Sequence, residues 1–108
     1  MKDLGISLLI DFYGNLLPEK QLDMLEQYYQ EDLSLSEIAE NSGITRQGVH
    51  DSIKRASNEL KGYEEKLGLL KKFSDITDSA ERIKTLVSDD ADNRDEIMSL
   101  LDIIIKEA

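Results

Sequence analysis

The sequence predicts an all-α protein, and three observations carry that prediction. Apolar residues recur at three- and four-residue intervals along most of the chain, the period of a helix buried on one side. No run alternates with a period of two for long enough to make a strand. The stretch from Ser34 to Leu60 carries the start, turn and inner-face signals of two helices joined by a tight turn, a helix-turn-helix. About six helices are expected.

A first helix is expected over Asp3 to Tyr13. Leu4, Leu8 and Phe12 are four apart and share a face, with Leu9 and Tyr13 beside them. Gly14-Asn15 ends it. Pro18 opens the second helix, where a fixed φ and a missing N–H do no harm. Leu22, Leu25 and Tyr29 form its inner stripe, widened by Met24 and Tyr28. The two tyrosines are read as core aromatics at helical spacing rather than as platforms for bases. Residues 30–33 loop into the third helix.

Ser34 and Glu37 have the spacing of a capping box, and Ile38 and Ala39 give the short third helix its buried side. Gly43 supplies the turn, since a residue without Cβ reaches positive φ at little cost. Ile44 is expected to plug the angle between the helices, and Thr45 to cap the second. Val49, Ile53, Ala56 and Leu60 line that helix's inner side. The same three–four spacing continues through Tyr63, Leu67 and Leu70, a heptad seam. Gly62 and Gly68 weaken it by about 1 kcal/mol each and mark where it could kink or break. Unbroken to Phe73, the helix would span roughly 43 Å at ~1.5 Å per residue. The far half of the seam has no expected partner among the preceding helices.

Beyond it, Ile76, Ala80, Ile83 and Val87 share a face, with Leu86 alongside. Asp89-Asp90-Ala91-Asp92 is a charged break, and Asn93 with Glu96 repeats the capping-box spacing. Ile97, Leu100, Leu101 and Ile104 form the last stripe, while Ile103 and Ile105 spread apolar surface past it. Such excess apolar surface predicts packing back onto the chain or a homodimer. The chain therefore divides into a helix-turn-helix part, residues 1–73, and a C-terminal helical hairpin or tail, residues 74–108, that packs or dimerises.

Composition bounds the chemistry. There is no cysteine and one histidine, so no disulfide, thiolate chemistry or metal centre is expected, and no cofactor. The apolar run Ile6 to Ile10 is too short for a signal peptide or a membrane span, which points to a cytoplasmic protein without membrane insertion. No catalytic constellation is present: the glycines are scattered, and His50, Asp51 and Ser52 are consecutive on a helix, so they point about 100° apart and cannot converge. A non-enzymatic protein is expected. Asp89, Asp90 and Asp92 lack the glycine and closing glutamate of a calcium loop.

The formal net charge is −10, the opposite of the usual footprint of nucleic-acid binding. It is unevenly spread. Residues 1–44 carry net −7, residues 45–73 net +3 and residues 74–108 net −6. The local positive charge sits on the second helix of the helix-turn-helix and its continuation. Arg46, Gln47, His50, Lys54 and Arg55 point away from its inner side, with Asp51 among them. In a DNA-binding helix-turn-helix such side chains reach base edges in the major groove, and Arg and Gln make bidentate contacts to guanine and adenine. Binding by so acidic a chain should be weak, strongly salt-dependent or partner-assisted.

Several short stretches together resemble the YlxM family of small bacterial helix-turn-helix proteins. They are Asp11-Phe12-Tyr13, Leu17 with Lys20-Gln21, Tyr28-Tyr29 with Asp32-Leu33-Ser34-Leu35, and Glu37-Ile38-Ala39-Glu40. Arg46-Gln47, Val49, Asp51, Ile53-Lys54-Arg55, Leu60, Tyr63-Glu64, Lys66-Leu67 and Lys72-Phe73 complete the set, so the resemblance covers about Leu4 to Phe73. Ser34, Glu37, Ile38 and Ala39 also fit the pattern of the promoter −35-reading domain of sigma factors, although no core-polymerase-binding region is recognisable. The resemblance implies that Arg46, Gln47, His50 and Lys54 face the groove and that Lys20 reaches a backbone phosphate. It also implies, through genome neighbourhood alone, a regulatory or accessory role beside the signal recognition particle GTPase. The leading expectation is a DNA-binding regulator of transcription. The alternative is a protein-binding adaptor of the signal recognition particle pathway that uses the helix-turn-helix as a scaffold.

Overall fold

The structure, a computed structural model, describes residues 4–89 and 92–108. Asp3 and Asp90, which entered the readings of the first helix and the charged break, lie outside them, as does the side chain of Leu4. Among the described residues there are six α-helices and no strand: α1 Leu4–Tyr13, α2 Glu19–Tyr29, α3 Leu35–Ser42, α4 Arg46–Leu67, α5 Leu69–Val87 and α6 Arg94–Glu107. No helix among them is long and apolar enough to cross a membrane. The chain forms two compact units, one ending at Gly68 and one running Leu69–Ala108.

The first unit is built on α4, which packs against α1, α2 and α3. Val49, Ile53, Ala56 and Leu60 are all buried, as their spacing predicts, and meet Leu25 of α2 and Ile38 and Ala39 of α3. The inner face of α1 differs from the expected one. Ile6, Leu9, Ile10 and Tyr13 are buried, whereas Leu8 is 49% and Phe12 36% exposed. A helix reading LGISLLIDFY is apolar on most of its circumference, so its own pattern leaves its rotation open and the neighbouring helices set it.

A 3₁₀ turn at Gly14–Leu16 carries the chain from α1 to α2, with Pro18 just outside the helix as its N-cap. Gly14 is buried there, and a Cβ on it would stand 2.9 Å from Leu22 Cδ1 and 3.3 Å from Ile10 Cγ2. Gly14 takes no positive φ, so what the glycine offers the turn is close approach: an added Cβ would displace the Leu22 side chain.

The far half of α4 does have a partner in this unit. Tyr13, 1% exposed, donates a 2.6 Å hydrogen bond from its hydroxyl to Glu64 Oε1, and its ring lies 6.1 Å from that of Tyr63. Gly62 leaves α4 unbroken; Gly68 ends it, in the left-handed region at φ 61°. The helix is therefore 22 residues long and does not run on to Phe73.

The second unit is a pair of packed helices, α5 and α6. Its inner line runs through Ile76, Ser79, Ile83 and Leu86, with Ser79 and Leu86 buried. Ala80 is exposed and Val87 is 67% exposed, which corrects the expected face of Ile76, Ala80, Ile83 and Val87: the buried line is rotated toward Ser79 and Leu86. Asn93 and Glu96 do not form a capping box. Asn93 Nδ2 donates to Leu86 O, and Glu96 Oε1 pairs with the Arg82 guanidinium at 3.3 Å, so both side chains staple α6 to α5. Asp92 takes over at the helix start and accepts from the Arg94 amide.

Candidate nucleic-acid interface

The turn between α3 and α4 is fixed at both ends by short-range chemistry. Ser34 Oγ accepts from the Glu37 amide at 3.1 Å and Glu37 Oε1 accepts from the Ser34 amide at 3.0 Å, a closed capping box. Such a cap contributes about 1 kcal/mol. Gly43 takes φ 72° and returns its amide to Ala39 O at 2.9 Å. Thr45 Oγ1 then accepts from the Gly48 amide at 3.0 Å and starts α4. Ile44 does not fill the angle between the helices; it is 44% exposed. Its side chain lies beside Gly48, where a Cβ would stand 3.5 Å from Ile44 Cδ1 and 3.1 Å from Thr45 Oγ1. The inner angle is filled instead by Ile38 and Val49, both fully buried.

This frame carries the expected reading residues on the outside of α4. Arg46, Gln47, His50, Lys54 and Arg55 are all exposed. At 3.6 residues per turn, Arg46, His50 and Lys54 advance around the helix by only about 40° per step and form one stripe. Gln47 stands next to that stripe. Arg55 lies about 180° round from Arg46, on another side of the helix. Lys20 is exposed in the first turn of a different element, α2.

One carboxylate organises this surface. Asp51 Oδ1 accepts from Gln47 Nε2 at 2.9 Å and lies 3.4 Å from His50 Nδ1. Hydrogen bonding from His50, then from Gln47, holds the Asp51 carboxyl below its ordinary value of 3.8. Two of the expected base-reading side chains are thus held by an acid on the same face. The sequence shows Asp51 among the outward residues, and Gln47 and Asp51 are four apart, the spacing at which helical side chains meet.

Two of the grooves on this unit differ in charge. One, about 520 Å³, is lined by Asp23, Glu26 and Glu31 together with amides and Leu33. The other, about 330 Å³, runs between α2 and α4 and carries no carboxylate; its wall includes Tyr28, Tyr29, His50, Lys54, Ser57 and Lys61. Tyr28 and Tyr29 are half-buried, edge to face with ring centres 4.9 Å apart, and so are wall residues of this groove rather than core. The helical spacing of each element gave no sign that α2 and α4 would bring these groups together. No cluster of three or more His, Cys, Asp or Glu that could hold a metal ion occurs among the described residues.

Residues 1–100 match the sequence family described as "Putative helix-turn-helix protein, YlxM / p13 like". The UPF0122 protein of Desulforamulus reducens is 54% identical over 82 residues, 76% of this chain and 70% of its own length. That of Thermoanaerobacter sp. is 42% identical over 106 residues, 96% of this chain and 91% of its own. That of Halalkalibacterium halodurans is 44% identical over 101 residues, 94% and 92% of the two chains. With a family match across nearly the whole chain and relatives this similar over most of their length, the chain belongs to the YlxM / p13-like family of helix-turn-helix proteins.

Proposed function

We propose that this protein is a DNA-binding regulator that reads its site with the first half of α4. The observation that carries the reading is the stripe of Arg46, His50 and Lys54, with Gln47 beside it, exposed on a helix held by a capped turn. Arg46 and Gln47, at the helix start, reach base edges first. His50 and Lys54 continue the reading stripe, and Lys20 serves backbone phosphate. An acidic body repels DNA except where this helix faces it, so affinity depends steeply on salt. If up to four cations neutralise phosphate, the log–log slope of affinity against salt is about −2 to −4.

Recognition of two half-sites calls for two copies, and the second unit suits that role. Val87, Met98, Ile103 and Ile105 are 43 to 72% exposed on a helix pair with few buried residues of its own. A homodimer formed through α5 and α6 would cover them. Replacing Ile105 with Asp should then shift the sedimenting species from dimer to monomer.

The test of DNA reading is a double variant, Arg46→Ala with Gln47→Ala. Preference for the selected sequence should fall toward the non-specific level while the fold is kept. Retained preference would defeat the assignment. The net charge of −10 and the exposed apolar residues of α5 and α6 favour one second reading, a protein-binding adaptor in the signal recognition particle pathway. In that case the Ile105→Asp variant loses protein partners, and the Arg46 and Gln47 changes leave them in place.

A further inference from the structure

The groove between α2 and α4 stands apart from the rest of this acidic protein. Its basic wall residues are His50, Lys54 and Lys61, and no carboxylate lines it, although the chain has ten more acidic than basic residues. Neither Lys54 nor Lys61 lies in an ion pair with a described carboxylate. The two are seven residues apart on one side of α4, roughly 10 Å along the axis, so both flexible stems reach a single phosphate placed between them. A second observation is independent of charge: the tyrosine pair gives the groove aromatic surface.

We propose that this groove binds a free nucleoside phosphate, with its base against the Tyr28–Tyr29 pair and its phosphate between Lys54 and Lys61. The volume, about 330 Å³, lies within the range of small-molecule sites. An inorganic anion would leave the aromatic wall unused, and a neutral aromatic ligand would leave the lysines unused. His50 and Lys54 belong both to this groove and to the DNA-reading stripe. Resting on the DNA-binding reading, the ligand therefore competes with DNA, and the site is an inhibitory one.

The experiment is a titration of the intact chain, followed by backbone-amide NMR shifts and by calorimetry. The probes are adenosine, guanosine, cytidine and uridine 5′-monophosphates, the four nucleosides, and inorganic phosphate. At least one nucleotide should bind, with shifts confined to the end of α2 and to residues 50–61 of α4. Its nucleoside and inorganic phosphate should each bind about tenfold more weakly. Lys61→Gln, outside the DNA-reading set, should weaken nucleotide binding about fivefold. The absence of localised shifts at millimolar nucleotide, or inorganic phosphate binding as tightly as the nucleotides, or a Lys61→Gln variant without effect, overturns the proposal. A nucleotide within a bound DNA strand offers the same chemistry. Should Lys61→Gln weaken DNA binding while no mononucleotide binds, the groove is a strand contact and the free-ligand site is refuted. Failure of DNA binding alone removes the competition, and the direct titration then decides whether the groove is a nucleotide site.

Discussion

Replacing Ser57 with Ala should stabilise the protein. Ser57 lies in the interior of α4, 7% exposed, and its Oγ has no hydrogen-bond partner. Leaving a buried hydroxyl unpaired costs about 1–3 kcal/mol. Alanine is also the better helix former, by about 0.5 kcal/mol. Against these stands the loss of one oxygen's packing, well under the ~2 kcal/mol lower bound for truncating a large core side chain. The net expectation is a gain of about 1–2 kcal/mol, which in a domain of this size raises the melting temperature by about 4–8 °C per kcal/mol. Urea unfolding followed by circular dichroism measures it, and the midpoint should rise with the slope unchanged. A destabilisation of 1 kcal/mol or more, on the scale of one lost hydrogen bond, would show that the hydroxyl has a partner and would refute the reasoning behind the stability gain.

The remaining predictions follow from single contacts. Gly43→Ala should cost about 1–2 kcal/mol by urea unfolding, since φ is 72° there and no atom lies within 4 Å of an added Cβ, so the cost is conformational alone. Tyr13→Phe removes the 2.6 Å hydrogen bond to Glu64 and should cost about 1–3 kcal/mol, with faster amide exchange at the C-terminal end of α4. On the proposed DNA-binding reading, Asp51→Asn removes a negative charge beside Gln47 and His50 and loosens its hold on them; DNA affinity should rise severalfold at low salt, and the gain should shrink at high salt. The pH dependence has a definite sign: the folded Asp51 carboxyl sits below 3.8, so its contribution to α4 is intact above that pH and is lost as pH falls through the lower folded value. NMR of the Gln47 side-chain amide should follow that release, and a Gln47 signal that titrates above pH 3.8 would contradict it.

What could be read from the sequence was what local chemistry decides. Ser34 with Glu37, Gly43 and Thr45 act within four residues of themselves, so spacing alone locates the turn. Val49, Ile53, Ala56 and Leu60 belong to a long amphipathic helix, whose polar side leaves one rotation available. In α1 nearly every side is apolar, and the choice of Ile6 and Ile10 over Leu8 and Phe12 is made by α2 and α4. In α6 the competition is between partners: Asn93 and Glu96 have capping chemistry, but Leu86 O and Arg82 claim them across the hairpin. Of the candidate site, the outward residues of α4 were legible from its period. The groove was not, because Tyr28 and Lys61 are far apart in the chain and meet only when α2 packs on α4. Asp51 was visible as an outward residue, but its hold on two neighbours depends on rotamers that a sequence does not display.

Selection from a pool of genomic DNA fragments by the purified chain, at low and at near-physiological salt, tests sequence reading by α4 most directly. Such reading predicts that one sequence is enriched at both salts, with overall recovery falling steeply as salt rises. It further predicts that the enrichment disappears in the Arg46→Ala, Gln47→Ala variant. Recovery without enrichment at low salt, or no recovery at either salt, would contradict it and leave the adaptor as the function to pursue.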